Sequence, residues 1–187
     1  EMSQMIGISR TPVREAVIQL SEESRIIEIF PQRGMRIALI DVDLVEEARF
    51  LRLVLEKAAV ELVCGQADEE DLRWLDENIR LQEFYLEGGS SRKLLELDNE
   101  MHRKLFSICR KELTYEMSQR LAIHYDRIRS LSVAAVKDHK IIEDHKKLLE
   151  AIRSRDKKLA AETMDLHLNR WMLNEQMFRD QYPAYFK

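Results

Sequence analysis

Three histidines and one aspartate interrupt the apolar faces of predicted helices in the second half of the chain. Asp98 and His102 are four residues apart, so on a helix both side chains project from one face. His145 and His167 each stand within another apolar stripe, on separate helices. The apolar residues at helical spacing are Leu94, Leu97, Met101, Leu105 and Ile108 around the first pair, Ile141 and Leu148 around His145, and Ala160, Met164 and Trp171 around His167. A fold that brings these helices together must bury four polar groups.

Burial of these four side chains favours a metal site without requiring one. Buried polar groups destabilise a fold unless they are hydrogen-bonded or bound to something, and a divalent metal ion would satisfy all four at once. Each histidine taken alone is better explained as an ordinary core or surface residue. An Asp/His pair four residues apart is also common on helix surfaces. The pattern therefore leaves two interpretations open, which are one metal site or separately paired side chains.

The composition indicates a mainly helical protein. Of 187 residues, 45% are hydrophobic and 34% are charged, with only five glycines and three prolines. This length fits one medium domain, or a small domain joined to a larger one. No apolar run is long enough to cross a membrane, and no stretch resembles a signal peptide. The net charge of −4 argues against non-specific coating of nucleic acid, but a local DNA-reading surface needs only a few cations.

The two cysteines carry no motif. Cys64 and Cys109 lie within helical patterns and lack the spacing of a metal or redox site. We expect both to be buried free thiols, which suits a cytoplasmic location because thiols persist in that reducing compartment. Neither is assigned to the candidate metal site.

The first 24 residues carry the pattern of a helix-turn-helix. A short apolar helix end is followed by a turn at Gly7 and Ile8. A second helix follows, for which Ser9 or Thr11 can serve as the N-cap and whose first turn tolerates Pro12. Its predicted buried stripe consists of Val13, Val17 and Leu20.

Two arginines and a threonine crowd the outward side at the start of this second helix. In a helix-turn-helix that end enters the major groove, where arginine can bind the O6 and N7 atoms of guanine with two hydrogen bonds. Arg10 and Arg14 are therefore candidates for reading bases. Thr11, together with the N-terminus of the helix, can hold a phosphate group.

Residues 26–39 switch to the alternation that is typical of strands. Apolar and polar residues alternate before and after a turn at residues 31–34. This pattern predicts a β-hairpin, the wing of a winged helix, with Arg33 near its tip. Taken separately, the two elements are explained as a capped surface helix and a solvated hairpin. Their order, with arginines at the helix start and at the wing tip, is more specific.

Residues 9–17, Ser-Arg-Thr-Pro-Val-Arg-Glu-Ala-Val, followed by Pro-Gln-Arg-Gly at 31–34, resemble the DNA-reading helix and wing of the GntR family of bacterial transcription regulators. The resemblance implies a winged helix-turn-helix domain at residues 1–40 that binds operator DNA. Residues 24–26 depart from the Gly-Leu usual in the family. The chain also begins inside the second helix of the motif, so we expect the winged helix to be truncated at its start. The implied DNA contacts are Ser9, Arg10, Thr11, Arg14, Arg33 and Gly34.

Residues 41–187 are helical in pattern throughout, which predicts an all-helical antiparallel bundle. The first helix is predicted from Leu44 to Cys64, with Asp43 as its N-cap and Gly65 as the residue that ends it. Later helices are predicted to begin near Ala67, Arg92 and Thr114, to surround His145, and to begin at Asp156.

This second region is similar to the FCD domain, the all-helical ligand-sensing domain of the FadR-type branch of GntR regulators. The matching segments are 51–56, Asp98-x-x-x-His102, 144–152, Asp156 and 164–168. In metal-binding members of that branch, one aspartate and three histidines bind a divalent ion below an effector pocket. The resemblance implies Zn²⁺, Ni²⁺, Mn²⁺ or Fe²⁺ here. A set of nitrogen and oxygen donors binds all four ions and does not discriminate among them. The implied ligands are Asp98, His102, His145 and His167.

The resemblance also implies a bound effector, a small organic acid whose carboxylate takes an open metal position. Arg52 stands where family members place an effector-facing arginine, and a guanidinium can clamp a carboxylate with two hydrogen bonds. A salt bridge to Glu56, one turn later, explains Arg52 equally well. Arg129 is a second candidate cation for the pocket. A surface or core role explains His124 more simply than a role in the pocket.

Together these features predict a metabolite-responsive regulator. Acid binding would change how the helical domains of a homodimer are arranged. This change would move the two winged helices relative to the half-sites of an operator. A metal-dependent enzyme is an alternative, because Asp/His₃ sites with open positions also activate water or oxygen. However, no clear general acid or base accompanies the ligands, and a winged helix is unexpected in such an enzyme. In two further alternatives the protein is still a regulator. The ion is then either purely structural, with no effector, or it is itself the signal that the regulator senses.

Overall fold

The computed structural model describes residues 2–135, 139–170 and 175–187. Trp171, predicted to continue the apolar stripe of His167, lies outside the described residues. The mainly helical fold predicted from the sequence is confirmed. In chain order the elements are α1 (Met2–Met5), α2 (Arg10–Ser24), β1 (Ile27–Phe30), β2 (Gly34–Ile37), α3 (Val42–Gln66), α4 (Glu69–Glu87), α5 (Ser91–Ile108), α6 (Glu112–Ala135), α7 (Lys140–Arg153), α8 (Lys157–Asn169), α9 (Glu175–Gln181) and a 3₁₀ turn (Pro183–Tyr185).

The winged-helix elements form where the sequence predicts them. Gly7, with φ +68°, lies in the turn between α1 and α2. Strands β1 and β2 pair antiparallel, from Ile27 opposite Ile37 to Phe30 opposite Gly34. Gly34 has φ +107°, a backbone conformation that a residue with a Cβ atom rarely adopts. This requirement explains why the tip of the hairpin carries a glycine.

Helix α2 buries less of its apolar stripe than its periodicity predicts. Val17 is buried and Val13 half-buried, but Leu20 is 43% exposed, so its predicted burial was wrong. In the described part of the chain, α2 is contacted by α1, β1 and α6, and these elements leave Leu20 facing solvent. Ser9 occupies the N-cap position of α2, but its side chain makes no capping hydrogen bond.

Helices α4 to α8 form a bundle around α3. Helix α3 contacts α5, α6, α7 and α8, while α4 packs against α5 and α7, and α7 against α8. Short connections between consecutive helices favour this antiparallel packing. Three of the largest fully buried side chains are polar, namely Gln82, His102 and His145, so the candidate site lies inside the core. The apolar members of that set are Leu75, Ile79, Met101, Leu105, Ile128, Leu148, Met164, Leu168 and Phe178.

Two predicted helix ends differ from the structure. Asp41, not Asp43, is the N-cap of α3, because the Asp41 side chain accepts a hydrogen bond of 3.1 Å from the backbone N–H of Asp43. Gly65 does not end this helix, which continues to Gln66. The next turn is set instead by Asp68, whose side chain caps α4 in a reciprocal capping box. A side-chain cap therefore decided this boundary rather than a glycine.

The last residues of the chain return to the connector that follows the hairpin. Ile40 N–H donates to the carbonyl of Tyr185 (2.7 Å), and Lys187 N–H donates to the carbonyl of Ile40 (3.0 Å). Ile40 and Phe186 form a parallel β-bridge, so the prediction of helix to the end of the chain was wrong here. Lys187 Nζ also pairs with Asp41 at 2.7 Å. The division into domains at residues 40 and 41 stays a prediction, and the C-terminal residues contact both sides of it.

Two other sequence predictions concern the thiols and the membrane. Cys64 and Cys109 are free and buried, as predicted. Burial raises the pKa of both thiols. Across the described ranges, no helix combines the length and the apolar character that crossing a bilayer requires.

Candidate metal centre

The structure brings the four predicted metal ligands together inside the helical bundle. Asp98 and His102 come from α5, His145 from α7 and His167 from α8. One potential ligand atom from each residue lies within 4.8 Å of the other three. Asp98, His102 and His145 are buried, and the His167 side chain is only 11% exposed. Side chains from three separate helices thus form one cluster.

The three imidazole rings turn the same atom, Nε2, towards a common centre. His167 Nε2 lies 3.2 Å from His102 Nε2 and 3.4 Å from His145 Nε2. Asp98 Oδ1 lies 3.4 Å from His145 Nε2, and its Oδ2 lies 3.7 Å from His102 Nε2. Ligand atoms about 2.1 Å from a metal ion stand about 3.0 Å apart at right angles and about 3.4 Å apart in a tetrahedron. The donor atoms therefore have nearly the spacing of a coordination shell.

A relay of hydrogen bonds fixes the orientation of the His145 ring. Asn78 Nδ2 donates to the carbonyl of Leu97 (3.1 Å), and Gln82 Nε2 donates to Asn78 Oδ1 (2.7 Å). This arrangement leaves Gln82 Oε1 facing His145 Nδ1 at 2.9 Å. Because an amide oxygen can only accept, His145 Nδ1 carries the proton and Nε2 presents its lone pair to the cluster.

A buried carboxylate orients His102 in the same way. Glu56 Oε2 contacts His102 Nδ1, and Glu56 Oε1 accepts a hydrogen bond of 2.7 Å from Arg52 Nε. Burial alone would raise the pKa of Glu56, but Arg52 and His102 outweigh it and lower that pKa to about 2. Glu56 is therefore an anion, and the proton of His102 faces it. The salt bridge to Glu56, one of the two explanations that the sequence left open for Arg52, is present.

His167 has a more distant partner. Asp144 Oδ2 lies 3.9 Å from His167 Nδ1, and no hydrogen bond reaches that nitrogen from the described residues. Asp144 is held in place by Arg170, whose Nη2 donates to Asp144 Oδ1 at 2.6 Å and whose Nε contacts Oδ2. The sequence placed Asp144 outside the ligand set, and the structure puts it behind a ligand.

Arg129 supplies a countercharge for Asp98. Its Nη2 contacts Asp98 Oδ2, and its Nη1 donates to Asn99 Oδ1 (2.7 Å) and Asp126 Oδ1 (2.6 Å). Burial alone would raise the pKa of Asp98, but Arg129 and the three neighbouring histidines hold it well below its usual range. Asp98 is therefore ionised, as a carboxylate ligand must be.

Burial keeps two of the histidines neutral. It lowers the pKa of His145 to about 4 and the pKa of His167 well below its usual value. Nε2 lone pairs and a carboxylate directed at one point repel each other unless a cation lies between them. A divalent ion therefore fits this donor set, and Zn²⁺, Ni²⁺, Mn²⁺ and Fe²⁺ fit it equally by donor type.

The predicted DNA contacts lie on the surface of the winged helix. All six are exposed, four at the start of α2 and two at the hairpin tip. Arg10, Arg14 and Gly34 line one cleft of about 440 Å³ between the helix and the hairpin. The full set is Ser9, Arg10, Thr11, Arg14, Arg33 and Gly34.

Sequence reasoning missed the side chains that orient the histidines. Glu56 was considered only as a partner of Arg52, and the amides of Asn78 and Gln82 were not considered at all. Both amides lie on the buried face of α4 among Leu75, Ile79 and Leu86. Polar residues in an apolar stripe were the signal that could have found them.

Two bacterial relatives resemble the chain along most of its length. The HTH-type transcriptional repressor RspR of Escherichia coli strain K12 is 27% identical over 187 residues, covering 100% of this chain and 82% of that protein. The uncharacterized HTH-type transcriptional regulator YdhC of Bacillus subtilis strain 168 is 26% identical over 175 residues, covering 90% of this chain and 76% of that protein.

Solved structures share the fold. E. coli McbR/YncC matches with a TM-score of 0.79 and 20% identity, over 97% of this chain and 85% of that one. Streptococcus agalactiae GntR matches with a TM-score of 0.59 and 22% identity, over 92% of this chain and 85% of that one. The two relatives are named as HTH-type transcriptional regulators, and the two solved structures share the fold of this chain.

The FCD domain family matches residues 47–170, a segment that contains the whole Asp/His cluster. The chain belongs to this family, as a GntR-type regulator with an FCD domain.

Proposed function

We propose that this chain is a metal-dependent regulator whose affinity for operator DNA is set by a small organic acid bound at the Asp/His cluster. The observation that carries the proposal is the convergence of one carboxylate and three histidines. Four of the donor–donor distances are 3.2 to 3.7 Å, and one potential ligand atom of each residue lies within 4.8 Å of the other three. The ion would be held by Asp98, His102, His145 and His167.

The acid would bind between the ion and two arginines. In a five- or six-coordinate shell, four protein ligands leave one or two positions open, where a divalent ion would bind and polarise a carboxylate oxygen. Arg52, which is 5% exposed, and Arg129, which touches Asp98, bring guanidinium groups to the same region. Glu56 takes one of the five N–H donors of Arg52, and the fork geometry suits a second contact with a carboxylate.

DNA binding is assigned to the exposed surface of the winged helix. Arg10 and Arg14 would read base edges in the major groove, Ser9 and Thr11 would contact phosphate, and the tip residues 33 and 34 would follow the backbone. Such motifs read operators made of two half-sites, so we propose a homodimer. Because a regulator acts where its operator DNA lies, we propose a cytoplasmic location.

Metal content is the first test. We expect about one Zn²⁺ or Ni²⁺ per chain after loading and desalting, measured by X-ray fluorescence, and its loss in Asp98→Ala and His145→Ala. His139→Ala is the matched control, because His139 precedes the same helix as His145 and its side chain is 53% exposed. A wild-type chain that retains no ion, or variants that retain it, would overturn the ligand assignment.

Operator binding is the second test. An operator fragment selected from a random DNA pool is titrated with metal-loaded protein across a panel of small carboxylic acids. We expect at least one acid to change the operator affinity by about 5- to 150-fold. We also expect Arg14→Ala to weaken operator binding and to reduce the preference for the operator over unrelated DNA. An affinity that no metal-bound acid alters would refute effector control.

A further inference from the structure

One segment of α6, residues 124–129, contacts both the candidate metal centre and the winged helix. Tyr125 and Arg129, four residues apart, share the face that points into the bundle. Arg129 contacts the ligand Asp98, and Tyr125 Oη donates a hydrogen bond of 2.8 Å to the carbonyl of Leu168, the residue after the ligand His167. This face of α6 therefore contacts the surroundings of ligands on both α5 and α8.

The same Tyr125 also contacts one of the proposed effector-binding arginines. The guanidinium carbon of Arg52 lies 5.1 Å from the centre of the Tyr125 ring, within the range of a cation–π interaction. Tyr125 is 3% exposed. A ligand that binds Arg52 would therefore contact a residue packed against this segment of α6, and a ligand that binds Arg129 would contact the segment itself.

A second face of the same segment contacts the DNA-binding elements. His124 Nε2 lies 2.7 Å from the carbonyl oxygen of Ser24, the last residue of α2. Because a carbonyl oxygen can only accept, His124 Nε2 carries the hydrogen and donates it. The last carbonyls of a helix have no partner within the helix, so His124 satisfies one of them for α2. His124 is 4% exposed, and this contact explains a buried histidine outside the metal cluster.

Arg127, three residues after His124, contacts the backbone that leaves the hairpin. Its Nη2 donates to the carbonyl of Ala38 at 2.7 Å, and its Nη1 donates to the carbonyl of Leu39 at 3.4 Å. Both α6 side chains thus bind backbone oxygens rather than side chains. A displacement of α6 would act on α2 and the hairpin as whole elements.

We propose that residues 124–129 of α6 couple the two sites within one protomer, with His124 and Arg127 as positioning residues for the winged helix. The inference rests on the proposed function and adds the route by which the site acts on DNA binding. Backbone hydrogen bonds make neighbouring residues of a helix move together, so a shift at Arg129 is passed to His124 and Arg127. Neither positioning residue contacts the metal cluster or the proposed DNA contacts, so each can be changed separately from both.

Hydrogen exchange of the full chain tests the coupling, with Zn²⁺ alone as the probe. In the wild type, we expect Zn²⁺ to change amide exchange in residues 20–39 by about five-fold or more. In Arg127→Met and His124→Phe we expect Zn²⁺ to bind with wild-type affinity by calorimetry and this response to disappear. Both substitutions keep side-chain bulk and remove the N–H donors. Glu116→Gln, at an exposed position of α6, is the matched control and should respond like the wild type.

The outcomes separate this inference from the proposed function. Zn²⁺ binding with no change in residues 20–39 of the wild type, or an unchanged response in Arg127→Met, would overturn the coupling and leave the metal site standing. Failure of the wild type to bind Zn²⁺ or Ni²⁺ would overturn both. If His124→Phe unfolds, Arg127→Met decides the question alone.

Discussion

Gln82 Oε1 lies 2.9 Å from His145 Nδ1 and connects the amide pair of α4 to a ligand on α7. The Gln82 side chain is fully buried, and its Nε2 is committed to Asn78. The amide is therefore held with its oxygen towards the ring. This contact sets the tautomer of His145 without adding a charge to the cluster.

Replacement of Gln82 should weaken metal binding although Gln82 is not a ligand. In Gln82→Leu, His145 loses the acceptor that orients its ring and fixes its proton on Nδ1. Loss of such partners typically lowers metal affinity by about 10- to 100-fold. Competition with a chromogenic chelator measures the change. Gln82→Glu keeps an acceptor for His145 and should retain more affinity than Gln82→Leu, and equal affinities in the two variants would contradict this role.

Glu56→Gln should strongly destabilise the metal-free protein. Glu56 and Arg52 are 2% and 5% exposed, so the substitution leaves a buried guanidinium without its countercharge. Breaking a buried ion pair from one side costs about 3–5 kcal/mol. Urea unfolding of the chelator-treated protein measures the loss.

An exposed pair with the same spacing provides the control for Glu56→Gln. Arg92 and Glu96 are also four residues apart, with Nε and Oε1 at 3.0 Å, but the Arg92 side chain is 90% exposed. Glu96 also pairs with Lys93, whose side chain is 55% exposed. Glu96→Gln should cost much less than Glu56→Gln because water screens both of these pairs. Similar losses in Glu56→Gln and Glu96→Gln would show that burial is not the deciding factor.

Asp68→Ala should shorten or destabilise α4. The Asp68 carboxylate accepts hydrogen bonds of 2.9 Å from the N–H groups of Glu70 and Asp71, and losing such a cap leaves both N–H groups without their side-chain acceptor. Ser90→Ala is the matched control, because Ser90 holds the N-cap position of α5 without a side-chain hydrogen bond. Thermal unfolding should separate the two variants, and a larger loss in Ser90→Ala would reverse the assignment of the caps.

Stability should fall as the pH drops, in part through His124. Burial lowers the pKa of His124 below its ordinary value of 6.5; Arg127 and Arg25 add to this lowering, while the Ser24 carbonyl and Asp41 oppose it. Below pH 6.5 the unfolded chain therefore binds a proton before the folded protein does, and stability is lost. One such proton contributes at most about 1.4 kcal/mol per pH unit. Unfolding free energies between pH 7.5 and 5.5 should fall less steeply in His124→Phe, and equal slopes would exclude the contribution.

Some structural details could be read from local patterns, and others could not. The hairpin with its glycine tip and the cap at Asp156 follow from residue types at short spacing, and both are present. Gly65 misled the reading of α3, because a glycine without a positive φ continues a helix as any residue does. The cap at Asp68 was the stronger local signal.

For the helices that carry the candidate ligands, the sequence by itself determined which face enters the core. Helical spacing placed Asp98 and His102 on one face and put His145 and His167 on apolar stripes, since periodicity decides the face that a helix buries. Only tertiary structure decided which faces meet. It brought Nε2 atoms from α5, α7 and α8 together and placed Gln82 and Glu56 behind two of them. Contacts between residues far apart in the chain depend on how the helices pack and rotate against each other. The spacing of residues along one helix does not determine this packing.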